Sequence, residues 1–130
     1  MWKILIVDDS LADLQLLRTI LQGVAETYLA MNSREAIIGY ECAMERGKPF
    51  DLMLLDMIMP GMDGYQVLQK VREMETSASI PAGRVMPIIM VTGHEKPFMK
   101  EFNRGCDDYM LKPVDPAALL KLINSKLKKG

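Results

Sequence analysis

"ILIVDDS", residues 4–10, runs four aliphatic side chains straight into two adjacent aspartates, Asp8 and Asp9. A short apolar run of this kind reads as a buried strand. The two like charges at its end are the anomaly, because burying hydrocarbon next to paired carboxylates has an electrostatic cost that something must offset. Working outward, similar β-favouring runs recur at residues 27–30, 52–55, 88–91 and, more weakly, 109–111.

Between these runs lie helical patterns. Leu14, Leu17 and Leu21 share a helix face after a start signal at Ser10. Asn32 with Glu35 reads as a capping pair opening a second helix that stops near Gly47 and Pro49. Asp63 with Gln66 opens a third, with Leu68, Val71 and Met74 facing inward. A short fourth carries Phe98 and Phe102 at i, i+4 spacing and ends at Gly105. Asp115 and Pro116 form an N-cap and first-turn pair for the last helix, whose inner stripe is expected to be Leu120, Ile123 and Leu127. Lys126, Lys128 and Lys129 complement its dipole at a solvated C-terminal end. Strand and helix signals alternating in this way predict an α/β fold, (βα)5, with a parallel sheet wrapped by helices.

Length and composition set bounds. A chain of 130 residues is one domain's worth, and no linker divides it, so residues 1–130 are expected to form a single domain. Residues 76–84, "TSASIPAGR", are the most loop-like stretch and are expected to be a mobile surface connection. The 49% hydrophobic and 25% charged content is globular, and a net charge of −1 gives no field to hold nucleic acid or an anionic membrane. Asp8 and Asp9 break the N-terminal apolar run too early for a signal peptide, and no run reaches the ~20 residues needed to span a bilayer. A cytoplasmic protein is the expectation. Cys42 and Cys106 carry no metal or disulfide spacing and are expected to be reduced, partly buried thiols. The twelve methionines are expected as core filler.

In open α/β sheets ligands bind beyond the carboxyl ends of the strands. The first run ends in Asp8 and Asp9, the third in Asp56, the fourth in Thr92 and the fifth in Lys112. Two carboxylates ~5 Å apart at an effective dielectric of ~20 repel by roughly 3 kcal/mol, so a cation belongs among them. Lys112 offsets part of the charge, and an all-oxygen set from two strand ends suits Mg²⁺, which accepts carboxylates and leaves positions open for phosphate oxygens. With Mg²⁺ and Lys112 flanking it, Asp56 is the candidate nucleophile for phosphoryl transfer, and Thr92 is placed to bond a phosphoryl oxygen.

The ordered set "VDDS", "LLDMIMPGMDG", "MVTG" and "DDYMLKP", each at a strand end, resembles the receiver (REC) domain of two-component response regulators from about Lys3 to Lys126. The resemblance implies a flavodoxin-like, doubly wound five-stranded parallel sheet of order 2-1-3-4-5. It makes Asp8 and Asp9 the acidic Mg²⁺ pocket, with Mn²⁺ able to substitute, Asp56 the phosphoacceptor, and the backbone carbonyl of Ile58 a further metal ligand. Thr92 matches the switch hydroxyl, Lys112 the phosphate-pairing lysine, and Tyr109 the aromatic that turns inward on activation. It further implies a cis Lys112–Pro113 bond. The implied reaction is transfer from a phosphohistidine on a histidine kinase or histidine phosphotransfer protein. The output partner, a domain or separate protein, would meet the face formed by the fourth helix, fifth strand and fifth helix. The chain would act as a signalling switch rather than an enzyme, without direct contact to nucleic acid or membrane.

Departures from that pattern are informative. The segment from Thr92 to Lys112 is a couple of residues shorter than usual, and the connection before the fourth strand several residues longer. Val114 stands where phenylalanine is frequent, and Ala118 and Leu122 stand where receivers that dimerise through this face carry charges, so Leu119 and Leu122 are expected to serve another contact. Ile58 and His94, two residues after Asp56 and Thr92, flank the route of attacking water, and a bulky Ile58 is expected to slow autodephosphorylation. Asp107 and Asp108 resemble a common receiver turn and receive no catalytic role.

Plainer readings exist for single residues: Asp9 or Ser10 could merely cap the first helix, and Asp56 could be a solvated loop residue. Their coincidence with Thr92 and Lys112 at four strand ends argues against them jointly. An aspartate-nucleophile phosphatase needs a second carboxylate two residues after the nucleophile, where this chain has Ile58. A flavodoxin needs a phosphate loop after the first strand, and "DDSLADL" is the wrong chemistry for an anion. A receiver-like module that binds partners without phosphorylation usually lacks the acceptor or the lysine, and both are present here.

Overall fold

The computed structural model describes residues 1–56, 58–59, 62–93 and 106–127, with the side chains of 58–59 and 62–63 left aside. Five strands form one parallel sheet: β1 (Trp2–Val7), β2 (Ala25–Ala30), β3 (Leu52–Leu55), β4 (Ile88–Thr92) and β5 (Asp108–Leu111). Their spatial order is β2-β1-β3-β4-β5, the expected 2-1-3-4-5. Four helices are described: α1 (Leu11–Leu21), α2 (Ser33–Glu45), α3 (Gly64–Ser77) and α4 (Pro116–Leu127). The expected helix with Phe98 and Phe102, its end at Gly105, His94, Lys128 and Lys129 lie outside the described residues.

The apolar runs form strands because both faces of the sheet are covered. Ile4 and Ile6 of β1 join Leu52, Leu54, Ile89 and Val91 against Leu14, Leu17 and Leu21 of α1 and Leu119 and Ile123 of α4. Leu5 and Val7 join Met53, Leu55, Ile88 and Met90 against α2 and α3, through residues such as Ala36, Tyr40, Leu68 and Val71. A strand buried on two sides has no polar face to alternate with, hence the unbroken hydrocarbon of "ILIV". Met53, Met86 and Met90 are buried filler, as expected, but Met1 and Met31 are exposed, so the expectation does not hold for every methionine.

The expected caps at Ser10, Asn32 and Asp115 are in place, while the one expected at Asp63 falls on a side chain outside those described. Ser10 Oγ accepts the Asp13 N–H, and Asn32 Oδ1 accepts the Glu35 N–H while Glu35 reaches back to the Met31 N–H. Asp115 Oδ2 accepts the Ala118 N–H. Gly47, with φ +70°, closes α2 as its Lys48 neighbour donates to the Ala43 carbonyl at 3.0 Å. The Lys112–Pro113 bond is cis.

Four expectations are corrected. The inner stripe of α4 is centred on Leu119 and Ile123, both buried, with Leu120, Leu122 and Leu127 only partly covered. Leu119 therefore belongs to the core and is unavailable for another contact. The loop-like "TSASIPAGR" begins inside α3: Thr76 Oγ1 donates to the Arg72 carbonyl at 3.0 Å, so the polar residue rides on the helix surface. A 3₁₀ turn, Ala82–Arg84, follows. Cys42 is exposed rather than partly buried, because α2 turns Ala36, Tyr40 and Ala43 inward, while Cys106 is partly buried. Finally, β2 and β5 each begin earlier than their apolar runs. β1 pairs from Trp2↔Ala25 onward, and Asp108 sits opposite Ile89, so backbone pairing recruits polar residues that hydropathy alone leaves out.

Candidate functional site at the carboxyl edge of the sheet

Parallel strands deliver their last residues to one edge, and here the edge is acidic. The Asp8 N–H donates to the Ala30 carbonyl at 3.0 Å and the Asp56 N–H to the Val7 carbonyl at 2.8 Å, so both aspartates leave the sheet in register on neighbouring strands. Carboxylate oxygens of Asp8, Asp9 and Asp56 all lie within 4.8 Å of one another. Asp8 and Asp56 are buried, whereas Asp9 is exposed. Ile58, whose carbonyl the resemblance assigns to the metal, lies in a two-residue strand, Ile58–Met59, that pairs antiparallel with Met62–Asp63. Hydropathy gave no sign of that small ladder.

Thr92 ends β4 with no exposed surface, and its carbonyl accepts the Lys112 N–H at 2.8 Å. That bond ties the Lys112 backbone to the end of β4. Lys112 Nζ then reaches across the edge to Asp8 Oδ2 at 2.8 Å, to Asp13 Oδ2 at 2.9 Å and to Asp56 Oδ2 at 3.9 Å. Asp8 is satisfied on its other oxygen by the Ser10 N–H at 2.9 Å. Burial by itself would lower the Lys112 pKa, but hydrogen bonds to Asp8 and Asp13 and the charges of Asp56 and Asp8 overcome it and hold the ammonium well above its ordinary value.

Tyr109 lies opposite Met90, partly buried against the α2–α3 side of the core. Thr92 is two residues beyond Met90, so alternation along β4 puts it on the same face as Tyr109. Asp107 and Asp108 act as braces: Asp107 Oδ2 accepts the Ile88 N–H at 2.8 Å, and Asp108 lies 3.4 Å from Lys126 Nζ.

The three sequence-assigned carboxylates thus converge beside Lys112, at the sheet edge where β4 ends in Thr92. Asp13 was missed. Its signal was an acid in the first turn of the helix that follows the Asp8–Asp9 pair, a place where an N-terminal acid is ordinarily explained by the helix dipole alone.

A doubly wound parallel sheet thus carries three carboxylates and a lysine at its carboxyl edge. The response regulator receiver domain family matches residues 4–124, and the chain belongs to that family. It is 34% identical over 131 residues to Protein PilH of Pseudomonas aeruginosa, covering 98% of each chain. It is 32% identical to the sensor histidine kinase GacS of Pseudomonas protegens over 93% of this chain, but it spans only 13% of that much longer protein. Among solved structures it is similar to the chemotaxis protein CheY4 of Vibrio cholerae, with TM-score 0.80, 29% identity, and coverage of 98% of this chain and 99% of that one. Receiver domains are signalling switches, and they bind Mg²⁺ at an acidic pocket; none of the described helices here is long and apolar enough to cross a membrane.

Proposed function

We propose that this chain accepts a phosphoryl group on Asp56 from a phosphohistidine of a histidine kinase or histidine phosphotransfer protein, in a Mg²⁺-dependent reaction that switches its output surface. The observation that carries this reading is the meeting of Asp8, Asp9 and Asp56 within 4.8 Å beside a lysine whose ammonium is 3.9 Å from Asp56. The donor set is all oxygen and net anionic, which fits a hard divalent cation. Asp8, Asp9, Asp56 and the Ile58 carbonyl would hold Mg²⁺, or Mn²⁺ in its place. Bound there, the metal supplies charge neutralisation for the phosphoryl oxygens.

In the transfer, an Asp56 carboxylate oxygen attacks phosphorus in line with the departing imidazole nitrogen. The P–N bond breaks as the P–O bond forms, and the histidine leaves with the electron pair and takes a proton. Lys112 offers a fixed positive charge and Thr92 a hydroxyl donor to the new phosphoryl oxygens. Water later attacks phosphorus, the Asp56–phosphorus bond breaks, and inorganic phosphate departs. Recruitment of Thr92 toward the phosphoryl group, followed by Tyr109, shifts the population toward a second conformation of the face expected from the helix after Thr92, β5 and the last helix, α4. Output through that face to a further domain or protein, and a cytoplasmic setting, complete the reading.

The test is incubation with acetyl phosphate, with and without Mg²⁺, followed by intact mass. Wild type should gain one phosphoryl group only with Mg²⁺, and Asp56→Ala should gain none. No gain in wild type would leave a phosphorylation-independent binding module.

A further inference from the structure

Lys112 is shared unequally among its carboxylates. The contacts to Asp8 Oδ2 and Asp13 Oδ2, 2.8 and 2.9 Å, are hydrogen bonds, while Asp56 Oδ2 at 3.9 Å is beyond that reach. Asp13 is not a loose surface acid. Its backbone N–H is fixed by Ser10 Oγ in the first turn of α1, which aims the side chain across 99 residues of sequence at the lysine. Its side chain is 36% exposed against 2% for Asp8, so Asp13 holds the ammonium from the solvent rim while Asp8 holds it from below.

An ammonium has three donors, and a buried one seeks acceptors for them. Were Asp13 absent, Asp8 would keep its bond, and the next carboxylate within reach of the freed donor would be Asp56, 3.9 Å away. A lysine bonded directly to Asp56 would occupy an oxygen that the nucleophile needs and would compete with a dication for the same charge. We infer that Asp13 is a positioning residue that holds Lys112 off Asp56 in the unphosphorylated protein, so that the lysine does not compete with Mg²⁺ and the phosphodonor at that carboxylate. The inference rests on the reading of Asp56 as phosphoacceptor. Once a phosphoryl group is attached, its oxygens outbid Asp13 for the ammonium and the lysine changes partner.

The experiment is a double-mutant cycle on Mg²⁺ affinity, measured by isothermal titration in the full chain with Asp13→Ala, Lys112→Met and both together. Asp13→Ala should weaken Mg²⁺ binding by about 3- to 10-fold, the scale of a partly exposed charge pair. The loss should shrink below about twofold in the Lys112→Met background, because there is no lysine left to misplace. Asp13→Glu should restore affinity. An equal loss in both backgrounds would mean that Asp13 acts on the metal by its own charge, and no loss in either would make it a helix-terminus acid only; both overturn the inference. Acetyl phosphate labelling of the same wild-type sample separates the two claims. Labelling with a flat cycle removes the role of Asp13 alone, whereas absence of labelling removes the phosphoacceptor reading, and the cycle still decides whether Asp13 steers the lysine.

Discussion

The Glu75 carboxylate, 2% exposed on the inner side of α3, accepts the backbone N–H of Met86 at 2.6 Å. Its other oxygen meets Arg72 at 2.7 Å, and Arg72 continues to the Met86 carbonyl at 2.8 Å. An acid on a helix thereby fixes the chain just before β4, the strand that ends in Thr92. Glu75→Ala would leave Met86 N–H and Arg72 short of partners, and should cost about 2–4 kcal/mol. Glu75→Gln, which keeps an acceptor, should cost less. Urea denaturation of the two variants checks the order.

Leu119 is fully buried between α4 and the sheet, while Leu122 is partly covered. Leu119→Ala should therefore destabilise by about 2–5 kcal/mol and Leu122→Ala by about 1 kcal/mol. Equal, small losses in chemical denaturation would return Leu119 to the surface.

Ser79 has φ 57° in the turn that closes α3, where Ile80 N–H reaches the Glu75 carbonyl at 3.0 Å. A left-handed position taken by serine carries steric strain that glycine lacks, partly offset by the greater freedom of unfolded glycine. Ser79→Gly should stabilise by about 0.5–1 kcal/mol, raising Tm by about 2–4 °C. A fall in Tm would show that the serine side chain contributes more than the strain it imposes.

Burial first, and then the charge of Glu75, push the Tyr40 phenol up to about 12, against a smaller lowering by Arg72. Folding thus favours the neutral phenol. The stability it contributes is fully present below the ordinary tyrosine pKa of about 10 and is lost as pH rises through about 12. Absorbance titration should show a tyrosinate step near that upper value that Tyr40→Phe removes, and unfolding free energy should fall less steeply with alkaline pH in the variant.

What the sequence by itself determined was the succession of elements and the chemistry at their ends. Four aliphatic residues in a row at residues 4–7 can only be a fully buried element, and the short length with Asp8 and Asp9 following makes it a strand ending at a polar edge. Caps at Ser10, Asn32 and Asp115 were legible because capping is local, needing only neighbours three residues away. The carboxylates, Thr92 and Lys112 were legible because each stands at the end of its own apolar run.

The tertiary structure decided the rest, where several solutions satisfy the same local pattern. Leu119, Leu120, Leu122, Ile123 and Leu127 offer overlapping stripes, and only packing into the core cluster shared by the sheet and α1 turned Leu119 and Ile123 inward. Glu75, a charge on a helix that hydropathy would leave in water, is buried because the Met86 N–H meets it from beyond the helix while Arg72, one turn earlier, pairs with its other oxygen. The partner of Asp13 lies 99 residues away, and nothing within one helical turn of it announces a lysine. Interactions confined to a turn or a strand are written in short stretches of residues; those that join chain segments exist only after the sheet has brought their ends together.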